Sequence, residues 1–312
     1  MAQSSTSQLF DNASVARPSS TQSVPGAATL GHVGPWLLVR QIGEGALSRV
    51  FQARSFEGRQ DGPACYAVKF LRPEWNDDPV AVQTFRREAY VGRTVSHPHL
   101  MPILSSNVSE PPYYVAMPCL RGATLASQIS RGNLPELPIA LWIARQVAEA
   151  LAALDAVAHL MHCDIKPSNI FVGPDGHVTL FDLGFARQAD QPGSTADRPI
   201  VGTLHYAAPE MITSSLAADV RSDIYSLGVT LYESLSGRLP FEAKNPAEIA
   251  VLHREATPMP LNHHCAELPV DVVELVHEML SKEPLRRPQT PRELAGRLAA
   301  LEVATFDQRR SA

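Results

Sequence analysis

The sequence predicts an α+β fold in two lobes, a small antiparallel β lobe with one main helix and a large, mostly α-helical lobe. Three observations carry this. Strand-like segments gather between residues 36 and 71, a capped helical pattern follows near residue 79, and beyond residue 137 helical periodicity dominates apart from one pair of short strands. The 312 residues leave room for two packed lobes with a substantial core, and 45% apolar against 19% charged residues excludes a disordered polyelectrolyte and a membrane bundle.

The elements follow in order. Residues 1–33 read as a disordered Ser/Thr-rich tail, since the first 30 positions hold seven Ser and three Thr and only Asp11 and Arg17 are charged. From Trp36 the segments LLVRQIG, SRVFQAR and CYAVKFL have strand texture, separated by a Gly-bearing turn and a polar Gly/Pro loop. Asp78 is a good N-cap and Pro79 suits the first helical position; Val82, Phe85 and Ala89 then share a face, so helix is expected to about Arg93. SHPHLMPI and PPYYVAMPCL return to loop and short apolar strand. A long helix comes next, with Ala140, Ile143, Val147, Ala150, Leu151 and Leu154 recurring at three and four. Strands at NIFV and HVTLF precede a loop of some thirty residues, and SDIYSLGVTLYESL, apolar nearly all round, reads as a helix at the centre of a domain. Two amphipathic helices start just after Pro269 and Pro291. Prolines, at 26 of 312 residues, are in excess, and Pro79, Pro269 and Pro291 start helices while Pro98, Pro118, Pro167, Pro209 and Pro288 fall inside or beside sequence motifs.

Composition also narrows function. A net charge of −5 argues against a generalised nucleic-acid or anionic-membrane surface. Neither a signal nor a transit peptide pattern opens the chain, and the apolar runs are short and broken by acids, so no membrane span is expected. Cys65, Cys119, Cys163 and Cys265 lie at least 44 residues apart with no CxxC pair, which points to neither zinc nor a disulfide framework and fits a reducing cytoplasm. His263-His264-Cys265 reads as an exposed loop between helices, and Cys65 and Cys119 as small apolar residues.

Three constellations bear chemistry. Gly43-Glu44-Gly45-Ala46-Leu47-Ser48-Arg49-Val50 places two glycines in a turn between strands, where backbone N–H groups can approach a phosphate or simply close a hairpin. A dinucleotide fold needs a helix directly after such glycines, and no Gly-Lys pair exists for a P-loop. Lys69, inside the apolar strand Ala67-Val68-Lys69-Phe70, must reach solvent or meet an acid, for which Glu88 is the obvious partner. The decisive stretch is His162-Cys163-Asp164-Ile165-Lys166-Pro167-Ser168-Asn169, followed by Phe181-Asp182-Leu183-Gly184. Two carboxylates and an amide in loops flanking a β-hairpin can supply one proton acceptor and two hard oxygen ligands of the kind magnesium needs.

With Ala208-Pro209-Glu210 and Arg287 further on, the order and spacing from Trp36 to about Leu301 resemble the eukaryotic-type protein kinase family. The resemblance implies a small lobe at 34–117, a hinge at 118–120, a large lobe at 121–302 and a C-terminal tail at 303–312. It places Ile42, Gly43, Gly45, Val50, Ala67, Met117, Pro118 and Leu120 around ATP, with Met117 as gatekeeper and Lys69, held by Glu88, on the α and β phosphates. Asp164 would accept the substrate hydroxyl proton, Lys166 would steady the γ-phosphate, and Asn169 and Asp182 would hold Mg2+, or Mn2+ in its place. Glu210 and Arg287 match a structural ion pair, and Asp223 a structural position in the large lobe. Lys166 together with Thr203, expected beside Asp164, resembles the serine/threonine class, and the compact, alanine-rich chain is similar to bacterial members. The implied function is transfer of the γ-phosphate of ATP to Ser/Thr hydroxyls of proteins, autophosphorylation included, in signalling.

Three positions depart from the family pattern. Ser48 replaces the third loop glycine, Leu183 replaces a phenylalanine as an apolar plug before Gly184, and Cys163 stands where an arginine commonly receives an activation-loop phosphate. A thiol cannot receive one, so phosphorylation of Ser194 or Thr195 is not expected to be the main on-switch. The competing function is an ATP-binding pseudokinase acting as scaffold or allosteric partner; the presence of Lys69, Glu88, Asp164, Asn169 and Asp182 favours the enzyme. Ending at Ala312, the chain reads as a freestanding cytoplasmic kinase or a fragment, of open oligomeric state.

Overall fold

The computed structural model describes residues 30–56, 64–189, 204–213 and 217–306. Strands β1 (Gly31–Val33), β2 (Trp36–Glu44), β3 (Ser48–Ser55), β4 (Tyr66–Leu71), β5 (Ser105–Asn107) and β6 (Tyr114–Pro118) form one antiparallel sheet in the order β1-β2-β3-β4-β6-β5. β1 lies within the segment assigned to the tail, so the small-lobe sheet takes in residues before the expected boundary at 34. Its pairing comes from a Gly34-Pro35 turn that folds Val33 onto Trp36, and three residues are too few to show a strand period. Two register irregularities in β2, at Leu38/Arg40 and Gln41/Gly43, bend the strand where it enters the glycine-bearing turn.

Helix α1 (Pro79–Thr94) starts as its cap residue dictates, with the Asp78 carboxylate accepting from the N–H groups of Val80 and Ala81 and Pro79 opening the first turn. Its buried face, Val82, Phe85, Glu88 and Ala89, lies on the sheet. Pro118 ends β6 opposite Tyr66. Hydrogen bonds link Leu71 to Tyr113 and Cys119 to Cys65 in this ladder, so the alternate pair Tyr66/Pro118 falls at a non-bonded position, where a residue without an N–H costs nothing.

The large lobe begins with β7 (Ala123–Thr124) and helices α2 (Leu125–Ser130) and α3 (Leu137–Ala158). α3 is long and apolar enough to cross a membrane by length and composition, but most of its apolar window is buried inside the lobe. Two small sheets follow, β9 (Ile170–Val172) between β10 (Val178–Leu180) and β7, and β8 (Leu160–Met161) with β11 (Arg187–Gln188). Part of the stretch expected as a thirty-residue loop is therefore β11 and helix α4 (Pro209–Thr213), elements too short to carry a period. Helix α5 (Val220–Ser236) runs through the core, with Ile224, Tyr225, Val229 and Tyr232 wholly buried. Its Ser226, Thr230 and Ser234 hydroxyls donate to carbonyls four residues back, which lets polar side chains sit in the interior. Helices α6 (Pro246–Glu255), α7 (Leu261–His264), α8 (Val270–Met279) and α9 (Pro291–Ala304) close the lobe. The His263-His264 pair thus ends a short helix instead of lying in a loop, and Cys265 donates to the Leu235 carbonyl. α9 lies against α3: Leu294 and Leu298 join the cluster of Ala144, Val147 and Leu151, and the Arg145 guanidinium meets Glu302 at 2.7 Å.

Two expected results follow from this packing. A Cβ added at Gly228 would sit 2.8 Å from the Cβ of Met279, so the bare α5 backbone there packs directly against the Met279 side chain of α8. Gly228→Ala should lower unfolding free energy by about 1–3 kcal/mol, despite alanine's better helix propensity, when denaturant midpoints are compared; a stabilised variant would contradict this contact. His253 on α6 is fully buried with Nδ1 2.8 Å from the Tyr225 hydroxyl, and burial together with the Lys282 ammonium pushes its imidazole down to about 3 from an ordinary 6.5. The folded protein keeps this ring neutral while the unfolded chain protonates it below about pH 6.5, so the stability it contributes above that pH is lost as pH falls toward 3. Melting temperature should therefore drop more between about pH 7.5 and about pH 5 in the parent than in His253→Gln. Equal drops would show that His253 is not the titrating group.

Candidate active site

The cleft between the lobes is built from a strand, a helix and the turn after a second strand. Lys69 projects from β4, Glu88 from the buried face of α1, and Asp182 from the turn after β10, and the Lys69 Nζ lies 2.8 Å from both Glu88 Oε2 and Asp182 Oδ1. Glu88 was legible as a partner in the sequence; Asp182 as a second partner was not, because it is 113 residues away. Burial alone would lower the Lys69 ammonium, but the charges of Asp182 and Glu88 hold it above its ordinary value. Burial, with the Asp182 charge, pushes Glu88 up against the pull of Lys69. For Asp182 burial also works against the charge, yet Lys69 outweighs it and holds the carboxyl below the usual carboxylate range.

The loop after β8 holds the second group. Asp223, buried on α5, accepts from the backbone N–H of His162 at 2.6 Å and of Cys163 at 2.8 Å, fixing the loop from below. Cys163 is itself buried and takes a left-handed φ of 67°, as does Asp182, so both turns are held in a conformation unusual for residues with a Cβ. His162 accepts from the Asp164 N–H at Nδ1 while Nε2 faces the Phe181 carbonyl at 3.2 Å, a pairing that selects the Nε2–H tautomer. Asp164 is buried, with its carboxylate 2.9 Å from Lys166 Nζ and 2.8 Å from Asn169 Nδ2. Asn169 Nδ2 also donates to the Asp164 carbonyl, which turns its Oδ1 away from that loop. The Phe181 N–H donates to the Asn169 carbonyl, which sets Asn169 beside the turn carrying Asp182.

Over these groups the turn Gly45–Ser48 curls in, closed by a Gly45 N–H to Ser48 carbonyl bond of 2.8 Å. A cavity of about 220 Å³ lies beneath it, walled by Leu47, Lys69, Glu88, Asp164, Lys166 and Asp182 among others. Thr84 and Phe185 also line it and were missed; Thr84 was available as the residue one helical turn before Glu88 on the same face. At the hinge side, Ala67 and Met117 are buried in one cluster, with Val50, Cys119 and Leu120 packed against it. Pro118 follows directly, Gly43 pairs with Val50 across the turn, and Ile42 is 41% exposed at the outer rim.

Leu183 is buried among the apolar residues of the large lobe, and Gly184 approaches α1 so closely that a Cβ would meet the Thr84 carbonyl at 3.1 Å. Arg287, fully buried, uses all five N–H donors: two on the Glu210 carboxylate at 2.7 and 2.9 Å and three on the carbonyls of Ser281, Arg221 and Lys282. Ser222 adds a hydroxyl to Glu210 at 2.6 Å. Ser194, Thr195 and Thr203 lie outside the described residues. Among the described residues no group of three or more His, Cys, Asp or Glu side chains could hold a metal ion by itself.

A strand-borne lysine salt-bridged to a helix glutamate, facing an aspartate–asparagine loop across a glycine-bearing turn, defines the class of phosphate-handling clefts found in protein kinases. Residues 36–296 match the protein kinase domain, and the chain belongs to that family. Its relatives include the serine/threonine-protein kinases PrkC of Bacillus subtilis, 29% identical over 264 residues (84% of this chain, 39% of the relative), and PknB of Mycobacterium leprae, 34% over 262 residues (81% and 40%). PknA of Mycobacterium tuberculosis is 32% identical over 276 residues, covering 86% of this chain and 62% of the relative. The chain thus spans about two fifths of the length of the first two.

Proposed function

We propose that this chain is a cytoplasmic serine/threonine protein kinase that transfers the γ-phosphate of Mg-ATP to Ser/Thr hydroxyls of proteins in signalling. The observation that carries the reading is the simultaneous placement of Lys69, Glu88 and Asp182 within ion-pair distance beside the Asp164–Lys166–Asn169 loop. In this reading Lys69 grips the α and β phosphates and Glu88 keeps it pointed into the cleft. The turn Gly43–Val50 covers the phosphates, and Ala67, Met117 and Leu120 frame the adenine, with the Pro118 carbonyl and the Leu120 N–H as its hydrogen-bonding groups. Asp164 takes the proton of the acceptor hydroxyl as that oxygen attacks phosphorus, and Lys166 lies against the transferred group. Asp182 and Asn169 are hard oxygen donors that fit Mg2+, with Mn2+ as a substitute; the ion supplies charge neutralisation on the phosphates. Family membership and relatives bearing kinase names leave the pseudokinase reading without an observation of its own.

The test is phosphate transfer from labelled ATP to the chain itself and to a generic protein, run beside Asp164→Asn. A parent no faster than the variant would reject catalysis. Because Cys163 offers no cation to a loop phosphate, phosphorylation of Ser194 or Thr195 should raise the rate by less than about a hundredfold. A larger rise in phosphorylated against dephosphorylated protein would overturn this.

A further inference from the structure

Cys65 and Cys119 are distant in sequence, yet the register of β4 and β6 sets them opposite each other. Ala67 faces Met117 and Tyr66 faces Pro118, so the next pair outward is Cys65 with Cys119, and the Cys119 N–H donates to the Cys65 carbonyl at 2.8 Å. Residues opposed in this way point their side chains to one face with Cα atoms roughly 5.5 Å apart, inside the roughly 4.4–6.8 Å that a disulfide spans. Alternation puts both thiols on the face of Ala67 and Met117, and Cys119 packs against that cluster. Both cysteines are free, Cys65 exposed and Cys119 half-buried, so one thiol is open to solvent and the other waits behind it. The strand entry is anchored, since Gln52 Nε2 donates to the Ala64 carbonyl at 2.8 Å while its Oε1 takes the Arg40 Nε at 2.7 Å. Burial pushes the Cys119 thiol up, and Arg40 opposes that by favouring its thiolate.

We propose that Cys65 and Cys119 form a reversible cross-strand disulfide at the hinge edge of the cleft, with a small peroxide as oxidant. The Cys65 thiolate attacks one peroxide oxygen, the O–O bond breaks, and Cys65 becomes a sulfenic acid as the other oxygen leaves as water. The Cys119 thiolate then attacks the Cys65 sulfur, forming the S–S bond and expelling hydroxide, which gains a proton. Two thiols lose two electrons and two protons, and the peroxide is reduced to two waters. Such transient bonds are the kind that occur in reducing compartments. The bond ties residues 118–120 to β4 on the face where adenine lies in the kinase reading, on which this consequence rests, so the oxidised form binds ATP more weakly.

The experiment treats the full chain with hydrogen peroxide and follows it by intact mass and by peptide mapping without reductant. The expected result is loss of two hydrogens, a Cys65–Cys119 linked peptide, and reversal by a thiol reductant. Sulfinic acid alone, another pairing, or an intermolecular link overturns the proposal. ATP affinity of the oxidised form should fall about tenfold and return on reduction, while Cys65→Ser shows no response to peroxide. A mapped linkage with unchanged affinity overturns the coupling to nucleotide. If the reduced chain binds no ATP, the kinase reading fails while the mapped linkage stands.

Discussion

Replacing Asp164 with Asn is expected to lower the rate of phosphate transfer by about 10²–10⁴, the range a positioned general base contributes, while leaving folding and nucleotide affinity nearly unchanged. The geometry explains why this change is clean. An amide oxygen at position 164 can still accept from Asn169 Nδ2 and Lys166 Nζ, which now lie 2.8 and 2.9 Å from the carboxylate, so the loop should keep its shape and lose only the carboxylate proposed to take the proton. Lys69→Met is a harsher test, because it leaves Glu88 and Asp182 facing each other without the cation that joins them at 2.8 Å. Transfer assays and nucleotide titrations on both variants separate the two effects. A fall in affinity with Asp164→Asn as large as the fall in rate would show that Asp164 serves binding.

The other large effect belongs to stability. Arg287→Ala should destabilise the fold by about 3–5 kcal/mol, since it strands the Glu210 carboxylate in the interior. Three backbone carbonyls that Arg287 also satisfies lose their donor, so Arg287→Met together with Glu210→Leu should be milder than Arg287→Ala alone without being neutral. Denaturant unfolding of the single and double variants measures this. A double variant less stable than the single one would mean that the pair itself, and not its breaking, carries the energy.

What the sequence made legible was local. The Asp78 cap, Pro79 at the first helical position and the apolar spacing of α3 are decided within a few residues, and the structure places those elements where the pattern put them. The motif spacing also named the residues that meet in the cleft. What stayed hidden depends on register and approach between distant segments. The second partner of Lys69, the five-donor saturation of Arg287 and the apposition of Cys65 with Cys119 each join residues through the fold, with no signal in their neighbourhoods. β1 was lost for the opposite reason, as three residues cannot display a period.

The docking of α9 on α3 decides where this chain can be cut. Removing everything after residue 296, the end of the matched family region, would take away Leu298 and the Glu302 carboxylate that meets Arg145. The surface bared in this way belongs to a 22-residue helix apolar enough to pass for a membrane span. A truncation there should produce a sticky, self-associating protein instead of a smaller folded one, whereas a cut after Phe306 leaves that helix covered.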